Sequence, residues 1–110
     1  MARVALLCPD LLFGSKVEGG LRAAGHEVVR FSDVAAAGNA DADVLVVDLT
    51  SDVESRVDLG GTAGVRTLAF YSHVEHDTRV RAEEAGFDLV VPRSRMAREM
   101  GALVDSLAAQ

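Results

Sequence analysis

Four clusters of polar side chains close short aliphatic runs in this sequence. Cys8-Pro9-Asp10 closes the first run, Asp48-Leu49-Thr50 the third, Ser72-His73 the fourth and Pro92-Arg93-Ser94 the fifth. A carboxylate such as Asp10 or Asp48 offers hard oxygen to a divalent cation. A thiol such as Cys8 is a nucleophile once ionised. The Arg93 guanidinium suits an anion, and the hydroxyls of Thr50 and Ser72 can hydrogen-bond one. Ser15 and Lys16 follow Asp10 closely, in what reads as the first turn of a helix, where free N–H groups accept anions.

Each group also has a plainer use. Asp10 suits a helix N-cap, and Asp48 suits the junction of a buried strand with a loop. Ser72-His73-Val74-Glu75 has the spacing of a capping box, so Ser72 is expected to cap the next helix. Lys16 reads equally as a solvated surface residue. His73 and His76, with no thiol or carboxylate pair beside them, make a poor metal site. His26 follows Gly25 at a helix end, where it suits the dipole. Arg93, Arg95 and Arg98 form a short basic stripe, solvated or turned to a partner.

Positioning these groups falls to a repeated unit, an aliphatic run followed by an amphipathic stretch. Arg3 to Cys8, Glu27 to Phe31, Asp43 to Asp48, Arg66 to Tyr71 and Asp88 to Val91 read as strands, the third and fifth buried on both faces. Leu12 to Ala24 has apolar Leu12, Phe13, Val17 and Leu21 at helical spacing, with Gly25 after it. Thr78 to Ala85 ends at Gly86 in the same way. Ser94 is expected to cap a last helix whose apolar face is Met96, Met100, Leu103, Val104 and Leu107. Val53 to Ala63 is a weaker helix containing Gly60 and Gly61, and Ser32 to Ala42 allows only a turn or two. Alternation of this kind predicts an α/β fold: a doubly wound, five-stranded parallel sheet of order 2-1-3-4-5, flavodoxin-like, with helices on both faces. The crevice then lies outside the carboxyl ends of strands 1, 3, 4 and 5.

The composition agrees. The chain has 110 residues, 49% of them apolar and 25% charged, which suits a single domain over residues 1–110 with an aliphatic core. A net charge of −6 and the lack of a basic run argue against nucleic acid. No apolar run is long enough to span a membrane, and the N-terminus lacks signal-peptide features. Cys8 is the only cysteine, which suits a reducing cytoplasm.

At the strand ends the sequence resembles the receiver domains of response regulators, over nearly the whole chain. Asp48, closing Val44-Leu45-Val46-Val47, matches the phospho-accepting aspartate, and Ser72 matches the switch hydroxyl. The resemblance implies attack of a carboxylate oxygen on a phosphoryl group, followed by hydrogen bonding of the hydroxyl to it. The departures are specific. Cys8 and Pro9 stand where receivers carry an acidic pair for Mg²⁺, leaving only Asp10 and Asp48 as ligands for weak Mg²⁺ or none. Pro92 stands at the Lys position, with Arg93 after it.

The chain therefore resembles a degenerate receiver, a pseudo-receiver acting as a signalling and protein-interaction module rather than as an enzyme. The resemblance implies a partner or a second copy on the face of helix 4, strand 5 and helix 5, about Thr78 to Ala109. Because the chain stops after the fifth helix, signalling by docking is expected rather than DNA binding. The expected ligand groups of the crevice are Asp10, Thr50, Arg93, Ser15 and Lys16. One alternative is a phospho-accepting regulator using Asp48. Another is a cysteine-dependent phosphatase or phosphocarrier-like enzyme using Cys8. Its loop argues against that, since Pro9 lacks an N–H, Asp10 repels phosphate and the phosphatase arginine is missing. A flavin or nucleotide site lacks its Gly-rich loop.

Overall fold

The aliphatic runs become five strands: β1 (Arg3–Leu7), β2 (Glu27–Phe31), β3 (Val44–Asp48), β4 (Arg66–Tyr71) and β5 (Leu89–Pro92). A computed structural model, describing residues 1–110, pairs them in one parallel sheet of order β2-β1-β3-β4-β5, as predicted. The register pairs Val4 with Val44 through to Leu7 with Val47. The next rung thus brings Cys8 beside Asp48. β3 is central and buried along its whole length, Val46 included.

Side chains of a strand alternate between its faces. Val4 and Leu6 of β1, and Cys8 just after it, point to one side with Val46, Leu68 and Phe70, where helices α1 (Leu11–Ala23) and α5 (Arg93–Ala108) cover them. That 17-residue cluster includes Val17, Leu21, Met96, Met100, Leu103 and Val104. Ala5 and Leu7 point to the other side with Leu45, Val47 and Ala69. There the cover is thinner, 11 buried residues under α2 (Val34–Gly38), a 3₁₀ turn (Val57–Gly61) and α4 (His76–Ala85).

Several expectations need correction. β5 is an edge strand in which only Val91 is fully buried, because no strand covers its outer side. The stretch expected as one helix over Val53 to Ala63 divides into α3 (Val53–Arg56) and the 3₁₀ turn. A Cβ on Gly60 would sit 2.7 Å from the Phe87 ring and 2.9 Å from the Ala85 carbonyl, so glycine lets this turn lie against the loop after α4. Ser72 does not cap α4, which begins at His76 with Glu75 at the cap position; the Ser72 carbonyl instead accepts the Glu75 N–H. Ser94 lies inside α5, whose cap position is held by Pro92. Ser15 and Lys16 fall in the second turn of α1, beyond its free N–H groups. His26 is a buried tie rather than a dipole partner. Its Nδ1 accepts the Ala2 N–H at 3.0 Å, so Nε2 carries the proton given to Asp105 at 2.7 Å.

Candidate functional site

The carboxyl ends of β1, β3, β4 and β5 converge as expected, and they build a closed floor beneath an open rim. On the floor, Asp48 is only 2% exposed. Its Oδ1 accepts the Thr50 N–H at 2.8 Å and the Thr50 hydroxyl at 2.5 Å. Its Oδ2 lies 3.6 Å from the Cys8 thiol, which donates to it. Both carboxylate oxygens are therefore engaged.

Cys8 is 1% exposed. Burial first, and then the charge of Asp48, push its thiol up to about 12. It stays protonated at neutral pH and serves as a hydrogen-bond donor, the opposite of what a thiolate nucleophile requires.

Two arginines that the sequence reading missed hold this floor in place. Arg56 is buried, and its Nη1 donates to the carbonyls of Asp48 at 3.0 Å and Ser51 at 3.1 Å. Arg30 reaches from β2 to the Cys8 carbonyl at 3.1 Å and to the Ser15 hydroxyl at 3.3 Å. Its path crosses Gly14, where any Cβ would collide with the guanidinium. No local spacing signals such contacts. Only the neighbouring positions of β2 and β1 in the sheet point to the Arg30 contact.

Asp10 caps α1, accepting the Phe13 N–H at 3.0 Å, as its position suggests. Its second oxygen faces Arg93 at 3.9 Å. Arg93 also lies over the Phe13 ring, 4.2 Å from its centre. The rim of the cleft is formed by Phe13, Lys16, Thr50, Ser72, His73, Arg93, Ser94 and Ala97, around about 630 Å³. Asp10, Thr50, Lys16, Ser72 and Arg93 are thus gathered at one end of the sheet. Ser15 is turned away to Arg30.

No family model and no curated protein matches the chain. Solved structures do match in fold. A response regulator from Thermotoga maritima superimposes with a TM-score of 0.80 at 14% identity, over 98% of each chain. The receiver domain of a sensor histidine kinase from Pseudomonas aeruginosa, solved with magnesium in its active-site cleft, gives 0.81 at 15%, over 99% of this chain and 98% of that one. An atypical orphan response regulator, described as having a phosphorylation-independent regulatory mechanism, gives 0.77 at 16%, over 97% and 95%. The chain has the response-regulator receiver fold.

Its residues do not fit a resident magnesium ion. Mg²⁺ requires hard oxygen donors. Here Cys8 presents a protonated thiol, Asp48 has both oxygens engaged, and Asp10 is divided between a helix cap and Arg93. No group of three or more His, Cys, Asp or Glu is placed to hold a metal. No helix is long and apolar enough to cross a membrane.

Proposed function

We propose that this chain is a receiver-like signalling module that acts by docking to a protein partner, without Mg²⁺-dependent phosphorylation of Asp48 and without enzymatic turnover. The observation that carries the reading is the sealed carboxylate. A phospho-accepting aspartate must present a free oxygen to the incoming phosphorus and must have its charge offset by a metal. Asp48 is buried, its oxygens are taken by Thr50 and Cys8, and the metal ligands are missing. The likeness to an orphan regulator described as phosphorylation-independent supports the same direction. Any Mg²⁺ binding is weak, through Asp10 alone. A cytoplasmic setting goes with this reading, since the one cysteine is free and buried and makes no disulfide.

The docking face is that of α4, β5 and α5. It offers a half-buried edge strand and mixed charge, with Arg79 paired to Glu83 and Arg95 to Glu99, while Arg98 has no ion-pair partner. Such a surface suits a polar, reversible contact with another protein or a second copy.

The test is a ¹⁵N NMR titration with Mg²⁺ and then with Mg²⁺ plus beryllofluoride, with Asp48→Asn as control. No Asp48-dependent shift is expected. Shifts spreading from Asp48 to Ser72 and α5, absent in Asp48→Asn, would overturn the reading in favour of a phospho-accepting regulator.

A further inference from the structure

At its β2 edge the sheet is left uncovered on the α2 side. Glu27, Val29 and Phe31 alternate onto this side, away from Val28. The helix that must cover them, α2, is only five residues long. Val29 is therefore 58% exposed in the middle of its strand, and Phe31 is half-buried. A groove of about 290 Å³ opens between β2 and the loop after α2, with Ala5, Val29, Phe31, Ala40 and Ala42 in its apolar lining. Phe31, Ala40 and Ala42 also pack against the core on this side of the sheet, so the groove is that core's open end.

Charge surrounds the groove. Arg3, Glu27 and Asp41 complete its lining. The Arg3 guanidinium lies 3.0 Å from Asp41 and 3.8 Å from Glu27, one cation between two largely exposed carboxylates. The mouth keeps an excess of negative charge and favours a cation carried next to an apolar group. A second copy fits poorly: a two-fold contact would set Glu27 and Asp41 near their own counterparts, in a chain of net charge −6. Addition of a strand to the edge is blocked as well. The Glu27 N–H bonds the Ala2 carbonyl, so Val28 turns its polar groups to the outer edge, where Arg22 already takes its carbonyl at 2.9 Å. The volume lies just below the range of sites that enclose whole small molecules and suits a single large anchor side chain.

We propose that this groove docks a short segment of a partner protein that presents one aromatic or aliphatic anchor beside a lysine or arginine. The anchor lies on Val29 and Phe31 against Ala40 and Ala42, and the cation sits between Glu27 and Asp41, sharing them with Arg3. The groove stands at the opposite edge of the sheet from β5, so it is a second surface, separate from the docking face above and independent of the state of Asp48.

The experiment is a ¹⁵N NMR titration of the full chain with three end-capped tripeptides, Lys-Phe-Lys, Glu-Phe-Glu and Lys-Ser-Lys, and with phenethylammonium as a free small cation. Saturable shifts of the Val29, Phe31, Ala40 and Ala42 amides are expected, with Lys-Phe-Lys binding at least about 5-fold tighter than any of the other three. Val29→Lys, which fills the groove and reverses its charge, should weaken Lys-Phe-Lys at least about 10-fold and Asp41→Asn about 3-fold, while Glu83→Gln on α4 changes it less than about 2-fold. Val29 and Asp41 are exposed, and an otherwise unchanged spectrum confirms folding. Shifts that do not saturate, equal affinity for Glu-Phe-Glu or Lys-Ser-Lys, or indifference to Val29→Lys would overturn the proposal. Phenethylammonium binding as tightly as Lys-Phe-Lys would overturn its peptide part. Concentration-dependent shifts at Val29 without any peptide, abolished by Val29→Lys, would overturn it in favour of a second copy.

Discussion

The closed floor and the open rim at this end of the sheet solve opposite problems. On the floor, Asp48, Cys8, Thr50 and Arg56 satisfy one another: a carboxylate with both oxygens occupied, a thiol held protonated, and an arginine bound to backbone carbonyls. On the rim, Lys16, Ser72 and Ser94 make no side-chain hydrogen bond, and Arg93 is held only by Asp10 and the Phe13 ring. Burial makes the difference. An unpartnered polar group is costly away from water and nearly free beside it. A closed floor supplies stability and rigidity, while the rim leaves polar side chains in contact with water.

The contrast can be broken from beneath. Val46→Asp places a lone charge in the fully buried centre of β3, a cost of several kcal/mol against a typical net stability of about 5–15 kcal/mol. The protein should unfold, and an unchanged melting temperature would sink the strand assignment. Arg56→Ala is milder. It leaves the Asp48 and Ser51 carbonyls without this donor and should lower stability by about 1–3 kcal/mol in denaturant titration. A loss below about 0.5 kcal/mol would mean that the floor does not depend on its arginine.

The pH dependence sharpens the same point. Cys8 is raised from 9.0 to about 12, chiefly by burial and then by Asp48. Ionisation is thus disfavoured in the folded state, and the associated stability is fully present below pH 9. It is lost as pH rises from 9 through about 12, at no more than about 1.4 kcal/mol per pH unit. The melting temperature of the wild type should therefore fall more steeply than that of Cys8→Ala in this window. Parallel curves would show that the thiol ionises as easily folded as unfolded. Asp48→Asn, by removing the neighbouring charge, should speed thiol alkylation at pH 9. The smallest effect belongs to the rim: Lys16→Ala should change stability by no more than about 0.5 kcal/mol, since the side chain has no partner to lose.

The fold was legible because its signal is local and repeated. Aliphatic runs such as Val44-Leu45-Val46-Val47 and helix stops such as Gly25 and Gly86, both at positive φ, mark the elements directly. Asp10 was legible as a cap for the same reason. Ser72 and Ser94 misled because capping motifs describe spacing, and neither helix starts where its spacing implies. Arg30 and Arg56 were invisible, since a long side chain reaching a distant carbonyl leaves no period in the sequence. The contact of Cys8 with Asp48 lay between these cases. It follows once β1 and β3 are taken as neighbours and their register is counted forward from Leu7 and Val47.

The unequal cover of the sheet has a consequence for motion. One side is held by two helices of 13 and 16 residues, and the other by short pieces, α2 and a 3₁₀ turn of five residues each and α4 of ten. Local opening follows the weaker packing. Amide exchange should therefore begin in α2, the 3₁₀ turn and α4 while α1, β3 and α5 stay protected. A partner that loosens or clamps that thinner layer works against the small free energy of a local excursion, with the rest of the molecule serving as its fixed frame.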